Sequence, residues 1–171
     1  MSIHESLSKA DKDTLKEICR NAESYLSAQL TSALAANQRA MTFTGLLAAA
    51  TVVLGGAGGT LVLNHKDWLL GSVCFGIAAA FLLAMAIAMH VAKPIGFEFV
   101  GNSPAQWVAD VENGTSLEAS LAEQCHHYAG MIDSNNTCME LGNKKLIIAM
   151  RVAWGSLLVG GIAALVLLWM K

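Results

Sequence analysis

Charge is what this sequence has least of. Asp, Glu, Lys and Arg make up 14% of 171 residues, against 54% hydrophobic residues, whereas about a quarter of a soluble domain is charged. That shortage excludes an ordinary soluble domain and points to a bilayer. A chain of this length is expected to form one domain at most. Net charge is only -2 and no long basic run occurs, so the clustered Lys/Arg surface that direct nucleic-acid binding needs is absent. No C-x-x-C pair links Cys19, Cys74, Cys125 and Cys138; neither a disulfide framework nor a zinc ribbon is indicated, and reduced thiols are expected. No apolar core precedes residue 30, which excludes a secretory signal peptide and leaves insertion to an internal span. The glycine run GGAGG, Gly55 to Gly59, is no nucleotide loop: G-x-G-x-x-G begun at Gly56 would need glycine where Leu61 stands, and begun at Gly55 where Ala57 stands. With no Ser/His/Asp set and no paired acids, neither enzymatic activity nor a cofactor is expected.

What the sequence does have is three long uncharged runs. From Phe43 to Leu63 every residue is apolar, Gly or Thr, about 20 residues, the length that crosses a hydrocarbon core of roughly 30 Å. Trp68 to Ala92 is a second run, and Leu146 to Met170 a third, interrupted only by Arg151. The joint NHKD, Asn64 to Asp67, allows only a tight turn, so the first two spans form an antiparallel hairpin. Arg39, Lys93, Lys144, Lys145 and Arg151 gather at one side, Lys66 and Lys171 at the other; by the positive-inside rule the N-terminus and the central segment are cytoplasmic and the C-terminus outside. Trp68 and Trp169 then fall at the outer interface, and the N-x-T matches at Asn113 and Asn135 on the side where they are chance. Arg151 follows the lysine pair closely enough to snorkel back to the headgroups; the other reading is that it faces an aqueous lumen or an anionic lipid. His90 sits near the cytoplasmic end of the second span.

Glycine costs about 1 kcal/mol in a helix interior relative to alanine. In lipid the compensating gain is close helix approach over small residues. Gly55, Gly56, Gly58 and Gly59, with Gly155 and Gly160 on the third span, are therefore candidate packing or pore residues; a flexible break lining a cavity is the alternative. The spans hold no Asp or Glu, which argues against an ion-coupled transporter.

The polar segments read as helix. Leu15, Ile18, Ala22, Tyr25, Leu26, Leu30 and Leu34 recur every three or four residues over 11–41, capped by Asp11 or Asp13 and running on into the first span. After Pro94, IGFEFVGNSP turns the chain, and a short helix is expected around Gln106 to Val111. From an N-cap at Thr115 or Ser116, Leu117, Leu121, Tyr128, Ile132, Met139 and Leu146 repeat at near-heptad, coiled-coil spacing, with Gly130 and Gly142 as places for a bend. Cys125, His126, His127 and Cys138 are the one metal-like group, but adjacent histidines on a helix diverge, and no metal is expected; a partly buried histidine or thiol at a helix interface fits better, and the histidine pair is expected to titrate near pH 6. Asp110, Glu112, Glu118 and Glu123 read as a solvated face. The expected fold is thus an all-α membrane protein: a cytoplasmic amphipathic helix (1–41), a transmembrane hairpin (42–92), a cytoplasmic turn and helix (93–145) and a third transmembrane helix (146–171), with the two long cytoplasmic helices forming a stalk.

ANQRAMTFTGLLAAA entering the first span, NHKDW at the joint and VAKPIGFEF leaving the second resemble small bacterial antiphage-defence membrane effectors, the SLATT-type proteins and the Pycsar transmembrane effectors. The resemblance implies a multi-pass protein of the bacterial inner membrane that assembles into a homo-oligomeric pore or channel. A separate cyclic-nucleotide-binding domain is missing, so a signal would arrive through a cytoplasmic protein partner or a ligand held between subunits. Arg151, Tyr25, His126 and His127 are the interface or gating candidates. The competing expectation is a non-conducting membrane anchor or scaffold that recruits a soluble partner enzyme.

Overall fold

The computed structural model describes residues 3–64, 67–92 and 96–170, with the side chains of Ile3 and His4 left aside. Lys66, Lys93, Pro94 and Lys171 lie outside the described residues. A short helix α1 (Ile3–Leu7) precedes α2 (Lys12–Leu63), α3 (Trp68–Met89), a 3₁₀ turn (Pro104–Trp107), α4 (Val108–Glu112) and α5 (Leu117–Trp169). No strand occurs among the described residues.

The two long helices each begin with a side-chain cap. Thr14 donates its backbone N–H to Asp11 Oδ1 at 2.7 Å, satisfying a donor that the first turn of α2 leaves free; these hydrogen bonds from Thr14 hold the Asp11 carboxyl below its usual range. In α5 Ser116 Oγ accepts from the N–H of Ala119 at 3.3 Å, so Ser116 rather than Thr115 is the cap. Once begun, α2 continues for 52 residues and α5 for 53. Gly130 and Gly142 stay helical within α5. The second span ends at Met89, three residues short of the expected Ala92, and the short helix expected at Gln106 starts as a 3₁₀ turn at Pro104.

The chain divides into two compact units, not one: Met1–Leu34 with Ile95–Glu140 (unit 1), and Ala35–Pro94 with Leu141–Lys171 (unit 2). Helices α2 and α5 each give their first part to unit 1 and the rest to unit 2. In unit 1 the two helices pack with residue numbers rising together: Cys19 meets Cys125, Glu23 meets Tyr128, and Gln29 meets Ile132 and Asn136, a parallel arrangement. Their core is Leu15, Cys19, Leu26, Ala122, Cys125, Tyr128 and Met131.

Three helices, α2, α3 and α5, are long and apolar enough to cross a membrane, and unit 2 holds α3 with the second parts of α2 and α5. Its joint closes through Asp67, whose N–H donates to the Leu61 carbonyl at 3.0 Å and whose carboxylate accepts from Leu70 N–H at 3.3 Å. Alanines are the commonest buried residues of its two clusters, Ala40, Ala84, Ala88, Ala149 and Ala153, with Leu47, Phe81, Val91 and Leu146 beside them. The most apolar 18-residue stretches of α2, α3 and α5 are only 11%, 22% and 11% buried. Large apolar side chains such as Val52, Leu82, Leu158 and Trp154 point outward, a surface that water would not tolerate at this extent. Hydroxyls within this surface are satisfied inside their own helices: Thr44, Thr51, Thr60 and Ser72 donate to carbonyls four residues back at 2.7 to 3.0 Å, as lipid requires. The chain is therefore an all-α protein suited to membrane association.

Candidate functional site

Two sets of residues stand out, one in each unit. The first is the set of span glycines, which the chain uses unequally. A Cβ placed on Gly58 would lie 3.2 Å from Cys74 Cβ and 3.3 Å from the Gly71 carbonyl oxygen, so α2 and α3 approach closely here. Gly71 admits Val62 in the same way, and Gly160 of α5 admits Ile77 of α3. By contrast, a Cβ at Gly55, Gly56, Gly59, Gly155 or Gly161 would meet nothing within 4 Å. Of the six glycines singled out from sequence, Gly58 and Gly160 pack within the chain, while Gly55, Gly56, Gly59 and Gly155 lie on open helix faces. Arg151 is exposed on α5, one turn before Gly155 and on the same helix face.

The second set is a polar seam through unit 1. Asn135 is fully buried. Its Oδ1 accepts the Glu98 N–H at 3.0 Å, and its Nδ2 donates to the Glu98 carbonyl at 2.9 Å and to Gln29 Oε1 at 3.2 Å. Gln29 Nε2 in turn donates to the Ile132 carbonyl at 3.2 Å and to Asn136 Oδ1 at 2.8 Å. One amide layer thus ties α2, α5 and the segment at Glu98 together, with Asn102 bonded to Gln124 as a further tie. A buried polar layer of this kind fixes register, because any slip leaves the amides unpaired.

Above that layer, Tyr128 OH donates to Glu23 Oε1 at 3.0 Å. Burial, reinforced by this carboxylate, pushes the phenol up to about 12. Cys19 and Cys125 are both buried, with Sγ atoms 2.7 Å apart. Burial and the neighbouring thiol raise Cys19 above its ordinary value.

Several sequence candidates sit elsewhere. Of the stripe expected on α2, Leu15 and Leu26 are buried and Ile18 and Ala22 pack against the core, whereas Tyr25 is 52% exposed and Leu30 and Leu34 also face outward; Cys19 and Gln29 complete the inward face. On α5 Leu117 is exposed, whereas Tyr128 and Leu146 are buried as the repeat expects, and Ser120, Ala122, Cys125, Met131 and Asn135 are buried beside them. His126 and His127 are exposed, so the helix-interface role expected of a histidine or thiol here falls to Cys125. Among the described residues no three His, Cys, Asp or Glu side chains converge to hold a metal ion. Asn135, a chance glycosylation match in the sequence, is a buried structural amide.

The missed signal was a repeat of spacing. Positions 15, 19, 22, 26 and 29 alternate steps of four and three, as do 121, 125, 128, 132 and 135, which pairs cysteine with cysteine and amide with amide. No protein-family model, curated protein or solved structure matches the chain.

Proposed function

We propose that the chain is a membrane effector that acts as a homo-oligomer, a pore or channel built from copies of unit 2 and gated through unit 1 by a protein partner or a signal. The observation that carries this reading is the unequal use of the glycines. Gly58, Gly71 and Gly160 are consumed in packing the three helices of one chain. Gly55, Gly56, Gly59, Gly155 and Gly161 are left on open faces. Since apolar side chains gain little by leaving lipid for one another, a smooth glycine face is where a second helix gains contact in a bilayer. The Gly55/Gly59 pair has the small-xxx-small spacing for it.

In this reading the spans lie in a bacterial cytoplasmic membrane, unit 1 and the N-terminus are cytoplasmic, the C-terminus is outside, and the first halves of the two long helices act as a stalk. Arg151 then lies close to the basic side, where it reaches lipid phosphate or faces the lumen of the assembly. The biological setting that suits such a protein is antiphage defence, where opening the assembly in response to infection would collapse the membrane potential of the host cell. The test is to measure the mass of the purified protein in detergent and its conductance in planar bilayers. A multimer with conductance supports the reading; a strict monomer that never conducts overturns it.

A second reading, a non-conducting anchor that recruits a soluble protein, is favoured by the charge of unit 1, which holds twelve of the 13 acidic residues but four of the 11 basic ones. Such a surface attracts a basic partner. Capture of one by the full-length protein in vesicles that stay electrically tight would favour the anchor over the pore.

A further inference from the structure

We propose that Cys19 and Cys125 are a disulfide-forming site, joined reversibly when the chain meets hydrogen peroxide. The inference stands on unit 1 alone and does not depend on the pore reading. The two sulfurs are 2.7 Å apart, about 0.7 Å more than a disulfide bond of about 2.05 Å. They approach from two helices whose residues are separated by 106 positions. The arrangement is reciprocal: Cys19 Sγ lies 3.7 Å from the Leu121 carbonyl oxygen, one turn before Cys125, and Cys125 Sγ lies 3.6 Å from the Leu15 carbonyl oxygen, one turn before Cys19. If each thiol donates to its facing carbonyl, neither hydrogen lies between the sulfurs. The amide layer of Gln29 and Asn135 holds the register that keeps the two in line. Cys74 in unit 2 and the half-buried Cys138 have no such partner thiol; all four cysteines are free.

The chemistry balances in two steps. One cysteine thiolate attacks a peroxide oxygen, the O–O bond breaks, and a sulfenic acid and one water result after proton transfer. The second thiolate attacks that sulfur and displaces hydroxide, which leaves as water, forming the S–S bond. Two thiols lose two electrons and two protons; one peroxide becomes two waters. Burial of the pair holds the Cys19 thiol in its protonated form at neutral pH, so the reaction is slow there and responds to sustained rather than brief oxidant. The product fastens α2 to α5 within unit 1, and any movement that requires those segments to part is then blocked until a thiol reductant opens the bond.

The experiment treats the full-length protein in detergent with hydrogen peroxide, caps remaining thiols with a maleimide, and maps the peptides by mass. The expected result is loss of two of the four thiols with a mass change of two hydrogens, a linked pair of peptides carrying Cys19 and Cys125, maleimide on Cys74 and Cys138, and full recovery with dithiothreitol. The rate should rise about tenfold per pH unit between pH 7 and 9, following the thiolate fraction. Cys19→Ser should leave Cys125 without an intramolecular partner; because that variant could unfold unit 1, the mapping on the unaltered chain decides. Labelling of Cys19 and Cys125 after oxidation, their separate conversion to sulfinic acids, or bonds formed between chains would each overturn the proposal.

Discussion

In unit 1 the side chains sealed from solvent include Leu15, Leu26, Tyr128 and Met131, and the outside carries most of the acidic residues; in unit 2 the sealed ones are mainly Ala40, Ala84, Ala88, Ala149 and Ala153, and the outside carries Leu, Val, Ile and Trp. One stretch of helix is built for water and the next for lipid, although α2 and α5 pass through both without a break. Unit 1 gains stability by hiding apolar area and must satisfy the few amides it buries. Unit 2 gains little from hiding apolar area and relies on close backbone approach. The charges follow the same division, since seven of the 11 basic residues and only one acid, Asp67, belong to unit 2.

The largest effect that would sharpen this comparison separates open glycines from closed ones. Gly55→Leu combined with Gly59→Leu fills a face that meets nothing in the chain and removes two helix-interior glycines, so thermal stability and helix content of the single chain should not fall. Association between copies should weaken by about 100-fold or more, equivalent to roughly 3 kcal/mol. Mass measured in detergent at several concentrations, with conductance alongside, checks it. A double variant that assembles and conducts as before would break the assignment of that face to a neighbouring copy.

Asn135→Leu is expected to be next. It leaves Oε1 of the buried Gln29 and the part-buried N–H and carbonyl of Glu98 without their partner, which together cost about 3 kcal/mol given about 1 to 3 kcal/mol per unsatisfied buried group. Denaturant unfolding followed on unit 1 probes reads the loss, and a variant as stable as the original would show that the layer is dispensable. Gly71→Leu makes the matching change in unit 2: the new side chain runs into Val62 and, at 3.2 Å, the Gly58 carbonyl oxygen. Overpacking should cost about 1 to 3 kcal/mol and spread α2 from α3, raising maleimide labelling of Cys74. No change in labelling would mean that the hairpin tolerates the wedge.

The two units were not equally legible in the sequence. Hydropathy and length are local properties, so Phe43 to Leu63, Trp68 onward and Leu146 onward read directly as long apolar helices. The Asp11 cap and the uninterrupted run into the first span were legible for the same reason. Which face of the polar helices turns inward is not local, because it is set by a helix more than a hundred positions away. Spacing of apolar residues selected Leu15, Ala22 and Leu26, which do face inward, but also Tyr25, Leu30 and Leu34, which do not, and it passed over Cys19 and Gln29, small or polar residues that only the matching Cys125 and Asn135 make favourable to bury. The glycines gave a similar partial answer: spacing marked all of them as packing residues, but only coordinates separate Gly58 and Gly160 from Gly55, Gly56, Gly59 and Gly155.

The smallest expected effect tests the polar seam at its edge. Tyr128→Phe removes one hydrogen bond, to Glu23 at 3.0 Å, and leaves the ring packed among Leu15, Cys19 and Met131 in the core cluster; the loss should be about 1 kcal/mol. The sign with pH is fixed by the raised phenol. Its value in the unfolded chain is near 10 and in the folded chain about 12, so folding disfavours tyrosinate. The contribution is therefore complete below pH 10 and is lost as pH rises from 10 through 12, where the unfolded chain releases its proton first. Stability measured across that window should fall less in Tyr128→Phe than in the original chain. Equal slopes would mean that Tyr128 ionises as freely in the folded chain as in the unfolded one.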